Sequence, residues 1–279
     1  MASNYVNGKV IIITGAAGGF GRIVAEKTSA LGAKVVLADV NESELEKTKA
    51  SISDAGGQAA SIFADVTDRE QMARLATEAI DRFGTIDVMI NNAGVMPLAF
   101  FADHVEAAEA WDRCIDINFK GVLHGMSAVH DQMISQGRGH IVNISSIYGN
   151  YPVTGAAVYG ATKAAVRFLT EAFRQESQGR IKVTTIRPTG VPTTGLGAGV
   201  INMEAIGGVI GLPIDEYLQK MGTLLGDNPP EKMTSPDSME YFALSADLLA
   251  DQIVFTINQP WGVSISDITV RASGDPFMI

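Results

Sequence analysis

The chain of 279 residues predicts one α/β domain built on a doubly wound parallel sheet. Two observations carry that prediction. Short, continuously apolar runs rich in Val and Ile recur along the sequence, as strands buried on both faces require. Stretches with helical spacing fill most of the gaps, and such βα alternation implies right-handed crossovers with helices on both faces of the sheet. The runs fall near Val10 and Val35 and at 59–63, 86–90, 140–144, 182–186 and 265–270. No repeat, linker or low-complexity tract marks a second domain, so residues 1–279 read as one unit.

The first run, 9–14, leads directly into Thr14-Gly15-Ala16-Ala17-Gly18-Gly19-Phe20-Gly21, and a helical pattern follows at 22–31. Strand, glycine turn and helix start together form a phosphate cradle. Glycines let the backbone approach a pyrophosphate, and the helix N-terminus carries partial positive charge. The second run ends at Asp39, about 20 residues beyond the glycines, where an acidic side chain meets an adenosine ribose. A carboxylate there accepts hydrogen bonds from ribose hydroxyls and repels a 2′-phosphate. Val40 and Asn41 are neutral and no base precedes Arg22 in the turn, so NAD is expected over NADP. The alternative role for Asp39 is to cap the helical segment that starts at Asn41.

Further along, Tyr159-Gly160-Ala161-Thr162-Lys163 puts a phenol and an ammonium at i and i+4, neighbours on one helical face. On that exposed face the ammonium favours the phenolate and lowers the Tyr159 pKa from its usual ~10, giving an acid/base group. Ser146 ends the apolar run that precedes it, where a hydroxyl can hold a substrate oxygen; Ser145 competes for that role.

With these motifs in this order, the chain resembles the short-chain dehydrogenase/reductase family over residues 8–273. The resemblance implies a Rossmann-type fold and an NAD-dependent enzyme interconverting alcohols and ketones. Thr14, Gly15, Gly19, Phe20 and Gly21 match its cofactor turn, Asp65 and Val66 its adenine contacts, and Asn92, Ala93 and Gly94 its fourth-strand motif. Asn118, Ser146, Tyr159 and Lys163 match its catalytic tetrad, and Ser146 is preferred over Ser145 because the family serine lies 13 residues before the tyrosine. The resemblance also has Lys163 bind the nicotinamide ribose and Asn118 anchor a water on the proton path. One position departs. The usual Pro-Gly after the sixth strand is Pro188-Thr189-Gly190, followed by Val191 and Thr193, which the resemblance places against the nicotinamide carboxamide. Thr189 cannot take a positive φ without cost, so the loop or the substrate space is expected to differ.

Composition narrows the function classes. The formal charge of −10 argues against nucleic-acid and acidic-membrane surfaces, whose footprint is basic. No apolar run approaches the ~18 residues of a spanning helix, and no leader pattern opens the sequence, so the chain reads as a soluble, cytoplasmic protein. The histidines at 104, 124, 130 and 140 lack metal-ligand spacing, and no metal is expected. Cys114, alone, excludes an internal disulfide and reads as a buried small side chain. The resemblance implies a homo-oligomer, a dimer or tetramer, with apolar side chains at 255–261 available to an interface.

Residues 193–236 are longer than the family's usual crossover here and are punctuated by Gly195, Gly197, Gly199, Gly207, Gly208, Gly211, Pro229 and Pro230. Such punctuation opposes one long helix, yet Leu196, Val200, Ile201, Met203, Ile206, Val209, Ile210 and Leu212 are too apolar for a solvated linker. The expectation is a mobile substrate lid over a small-molecule alcohol or ketone, with Met96, Ile147, Tyr148, Tyr151, Thr189 and Leu196 as substrate wall and a mainly apolar alicyclic or aryl substrate. The bland alternative is simple packing or an oligomer contact. Two other functions stay open: an NAD-sensing regulator without catalysis, and a polyol or hydroxy-acid dehydrogenase. An enoyl reductase and a halohydrin dehalogenase fit poorly, because the first spaces its tyrosine and lysine more widely and the second lacks the dinucleotide glycines.

Overall fold

The computed structural model describes residues 3–192, 194–210 and 212–278. Seven strands form one sheet: β1 (Val10–Thr14), β2 (Lys34–Asp39), β3 (Gln58–Phe63), β4 (Val88–Asn91), β5 (Gly139–Ile144), β6 (Ile181–Pro188) and β7 (Asp267–Val270). Their order is β3-β2-β1-β4-β5-β6-β7, and every pairing is parallel. The order reverses beside β1, which opens the crevice between the ends of β1 and β4 where such sheets bind ligands.

Strand periodicity decides what each face carries. In β1, Ile11 and Ile13 enter one apolar layer and Val10 and Ile12 the other, so all five β1 residues are buried and the run reads as continuously apolar rather than alternating. The first layer is covered by α1 (Gly19–Ala30), α2 (Glu42–Asp54) and α9 (Ala246–Ile257) through Val24, Leu45 and Leu249. The second is covered by α3 (Arg69–Phe83), α5 (Gly121–Ser135) and α6 (Ala157–Glu176) through Leu75, Met126 and Val166. Each fully buried side chain of this size contributes about 1.5–3 kcal/mol. Caps fix the helix starts. Asp68 accepts from the amides of Glu70 and Gln71 at 2.9 and 3.1 Å, and Gly84 ends α3 at φ 82°.

Two boundaries differ from the sequence reading. α1 starts at Gly19 rather than Arg22, so two of the glycines lie in its first turn. Asn41, not Asp39, caps α2, its carboxamide oxygen accepting from the Glu44 amide. A third apolar cluster sits above the carboxyl edge of the sheet and contains Leu98, Ile147, Tyr148, Tyr159, Val209 and Ile210. Cys114, on α4 (His104–Ile115), is buried in it. Residues 193–236 break into two 3-10 segments, Gly195–Gly199 and Met203–Val209, and two helices, α7 (Ile214–Leu224) and α8 (Glu231–Thr234). At the opposite edge, Trp261 is half-buried beneath Lys9, Arg138 and Lys182, whose charges lie 4.6, 5.2 and 5.4 Å from its ring. Its indole face is thus engaged within the chain, and of the apolar residues at 255–261 it is Phe255 that stands half exposed. No described helix is long and apolar enough to cross a membrane.

Candidate active site

The β1–α1 turn needs glycine for reasons visible in the geometry. A Cβ on Gly21 would lie 2.2 Å from the Gly15 carbonyl oxygen, and Gly15 and Gly19 have φ of +66° and +52°, which only glycine adopts cheaply. Thr14 and Asn92 lace the turn to β4. The Thr14 hydroxyl accepts from the amides of Asn92 and Ala93 at 3.0 and 3.2 Å, and Asn92 Nδ2 donates to the carbonyls of Thr14 and Gly15 at 2.8 and 3.2 Å. The N-cap of α1 is Gly18, with no side-chain cap and no acid in the first turn. Its leading amides are therefore left for an external anion. This uncapped helix start, reached only because no Cβ stands in the way, fits a dinucleotide pyrophosphate.

Asp39 stands at the end of β2 with Oδ2 accepting from the Ala17 amide and Oδ1 from the Asn41 amide, both at 3.0 Å. It borders a cavity of about 640 Å³ with Gly15, Asp65, Val66, Ala93 and Gly94. Asp65 Oδ1 accepts from the amide and hydroxyl of Thr67 at 2.9 and 2.8 Å, which fixes the loop after β3. Sequence reading missed the far wall, where Glu109, Asp112, Arg113 and Asp116 face the same cavity. They carry no motif and come from a helix surface remote in sequence. Five carboxylates and one guanidinium thus border this cavity.

The tetrad residues converge at the carboxyl edge of β4 and β5. Asn118 sits in a π-helical segment, Asp116–Lys120, between α4 and α5, and such π insertions often mark functional sites. It is fully buried. Its oxygen accepts from the Val95 amide and its nitrogen donates to the Val95 carbonyl, both at 2.9 Å. Gly94 keeps this corner open, since a Cβ there would stand 3.2 Å from Asn118 Oδ1 and 3.5 Å from Lys163 Nζ. Ser145 donates to the Lys163 carbonyl at 2.8 Å and is occupied as a tie between β5 and α6. Ser146 accepts from the Tyr148 amide at 3.3 Å and borders the cavity beside Tyr159.

Tyr159 and Lys163 share a helical face as expected, but that face points inward. Tyr159 is 3% and Lys163 5% exposed. Burial raises the Tyr159 pKa above the ordinary phenol value, and the Ser146 hydroxyl, pulling the other way, does not offset it. This overturns the expected lowering. Lys163 Nζ donates to the Ile144 carbonyl at 3.0 Å and lies 5.7 Å from the Tyr159 ring centre. Its own pKa is lowered to about 8 by desolvation, because a buried ammonium with one carbonyl partner is poorly solvated.

A second cavity, about 480 Å³, opens over these groups. Met96, Tyr148, Thr189 and Leu196 line it, as do Phe20, Pro188 and Val191. Ile147 and Tyr151 do not. The tight turn Ile147–Gly149 presents only Tyr148 to the cavity, while Ile147 is packed into the third cluster and Tyr151 is 66% exposed. Thr193 lies outside the described residues. No described residue other than glycine has a positive φ, so Thr189 carries no such strain; its amide donates to the Val270 carbonyl at 3.1 Å. What changes is the wall itself, which gains a buried Thr189 hydroxyl.

Leu98, Tyr217, Phe242 and Phe277 also line this cavity and were not read from the sequence, and Met203, named only as part of the expected lid, lines it too. Phe277 follows the last strand and returns to the site through a bridge to Ile210, a Met278 amide donated to the Val209 carbonyl at 3.1 Å, and hydrogen bonds from Arg271 to Asp275 and to the Phe277 carbonyl. A Cβ on Gly190 would meet its ring at 2.7 Å. Only the apolar Pro276-Phe277 pair, beyond the region of resemblance, hinted at this.

Residues 9–203 match the short chain dehydrogenase family. An uncharacterized oxidoreductase of Listeria monocytogenes, Lmo0432, is 35% identical over 275 residues, covering 98% of this chain and 99% of the relative. The 2,5-dichloro-2,5-cyclohexadiene-1,4-diol dehydrogenase LinX of Sphingobium indicum is 37% identical over 192 residues, 68% of this chain and 76% of the relative. Among solved structures, a Burkholderia phymatum short chain dehydrogenase/reductase in complex with NAD aligns with TM-score 0.75 and 29% identity over 96% of this chain and 90% of that one. A metagenomic short-chain oxidoreductase in complex with NADP aligns with TM-score 0.72 and 26% identity over 99% and 100%. On the family match over residues 9–203 and a relative 35% identical over nearly the whole chain, this chain belongs to the short-chain dehydrogenase/reductase family and is an oxidoreductase of that type.

Proposed function

We propose that the chain interconverts a secondary alcohol and a ketone with NAD(H), on a mainly apolar alicyclic or aryl substrate. The observation that carries this reading is the placement of Ser146, Tyr159 and Lys163 at one end of a largely apolar cavity that adjoins the uncapped glycine turn. When bound, the nicotinamide ring supplies the hydride acceptor or donor. The amides of the β1–α1 turn would hold its pyrophosphate. Asp39 would accept from the adenosine ribose hydroxyls, and the other carboxylates around that cavity make a 2′-phosphate unwelcome, which favours NAD. Val191 and Lys163 would orient the nicotinamide end.

At the reacting carbon, Tyr159 Oη exchanges the hydroxyl proton and Ser146 Oγ hydrogen-bonds the same oxygen as charge develops. Burial raises the Tyr159 pKa, so the phenol is the acid in carbonyl reduction, and positive charge beside it favours the phenolate that takes the alcohol proton in oxidation. Apart from Lys163 the described cavity wall has no cation, which disfavours a hydroxy-acid carboxylate. Tyr159→Phe removes only the hydroxyl. NADH produced from a bulky alicyclic secondary alcohol, read by absorbance, should fall roughly 10²- to 10⁴-fold while NADH affinity persists. Near wild-type turnover refutes the reading and revives a regulator without catalysis.

A further inference from the structure

Thr189 follows Pro188 at the end of β6 and lines the substrate cavity. It is 8% exposed, its amide is bound to Val270, and its hydroxyl oxygen is buried without any hydrogen-bond partner. Two neighbouring hydroxyls on this wall are occupied: Ser145 donates to the Lys163 carbonyl at 2.8 Å and Thr194 to the Val191 carbonyl at 3.1 Å. A buried hydroxyl without a partner is unfavourable, and valine would fill the same volume without that penalty. One staggered step about χ1 moves the threonine hydroxyl to the position its methyl held, so the group can be turned toward a ligand in the cavity.

Tyr148 adds a second free hydroxyl to the same cavity. Its ring stands edge-on to Tyr159 at 5.6 Å, and its phenol makes no hydrogen bond among the described residues. Away from the reacting centre the wall is mainly apolar, with Met96, Leu98, Leu196 and Val200 among its residues, and Tyr217 adds one more phenol. A plain hydrocarbon alcohol would leave Thr189 unpaired, whereas a polyol would press several oxygens against aliphatic carbon. A substrate with one further oxygen satisfies both walls.

We propose that the substrate carries a second oxygen, a hydroxyl or carbonyl besides the reacting one, and that Thr189 is the specificity-determining residue that binds it. This rests on the alcohol–ketone reading above. The class is therefore a ring diol, hydroxyketone or dione.

The test compares cyclohexanol with the 1,2-, 1,3- and 1,4-cyclohexanediols in wild type, Thr189→Val and Thr189→Ser, with NADH affinity measured separately by fluorescence. Wild type should prefer one diol isomer. Thr189→Val should lower the diol-to-cyclohexanol ratio of kcat/KM by roughly 3- to 10-fold, the size of one neutral hydrogen bond, without a matching loss of NADH affinity; Thr189→Ser should restore the ratio. Thr189→Val should also raise the thermal midpoint of the ligand-free protein, since a methyl then replaces an unpaired hydroxyl. Equal losses on all substrates with weakened NADH binding would assign the hydroxyl to the cofactor and overturn the proposal, as would an unchanged ratio. Wild type active on cyclohexanol but without diol preference defeats this inference alone. Wild type inert toward every alcohol and ketone defeats the underlying reading and this one with it.

Discussion

Lys163 offers a quantitative check on the electrostatics of the site. Its folded pKa is lowered from 10.5 to about 8 by desolvation. A lysine shifted this way costs stability below its folded pKa, where the folded chain must hold a buried ammonium. Between the folded and unfolded values the unfolded chain binds more protons, so stability rises with pH. Each unit in that window is worth about 1.4 kcal/mol, so moving from about pH 7 to about pH 9.5 should relieve about 2 kcal/mol. The comparison is Lys163→Met against the unaltered lysine, both in a Tyr159→Phe background, because the raised phenol would otherwise add its own titration. Lys9, whose pKa burial likewise lowers to about 8, is common to both proteins and cancels in the difference. Urea denaturation at the two pH values gives the four stabilities. The lysine protein should gain on its methionine counterpart as pH rises. A flat difference would show that the ammonium is well solvated, and a difference of opposite sign would show that its folded pKa is raised; either refutes the reasoning.

Two further perturbations probe cofactor choice and the cavity. Replacing Asp39 with serine and Val40 with arginine should weaken NAD use and admit NADP, because a repulsive carboxylate is removed and a phosphate partner added; an unchanged preference in steady-state kinetics with both cofactors would sink the assignment. Phe277→Ala should enlarge the cavity and loosen residues 203–224, whose Ile210 and Tyr217 it contacts. Hydrogen exchange should then show faster opening of that segment, reversed less completely by NADH plus a substrate analogue than in wild type. Identical exchange in the two proteins would separate the tail from the proposed lid.

The parts of the molecule that were legible in the sequence are those set by local chemistry. Strand positions followed from β-branched runs because both faces of this sheet are covered, leaving no room for polar alternation. The glycine turn was legible because only glycine admits the approach of residue 21 to residue 15. The Tyr159–Lys163 pairing was fixed by helical spacing, but the sign of the tyrosine shift was not. Spacing says which side chains are neighbours and leaves open whether their shared face meets water or core, and here desolvation outweighs an ammonium 5.7 Å from the ring centre. Ile147, Tyr148 and Tyr151 show the same limit, for three nearby residues end respectively in the core, at the cavity and in solvent.

Long-range closure was the least legible feature. Phe277 reaches the cavity only because Arg271 and Asp275 turn the tail after β7, and because Gly190 leaves space for its ring. Thr189 and Gly190 are therefore opposite halves of one adjustment: the first adds a side chain to the wall and the second removes one so that an aromatic ring from the tail can take its place. Together they shape the cavity wall beside Ser146, Tyr159 and Lys163.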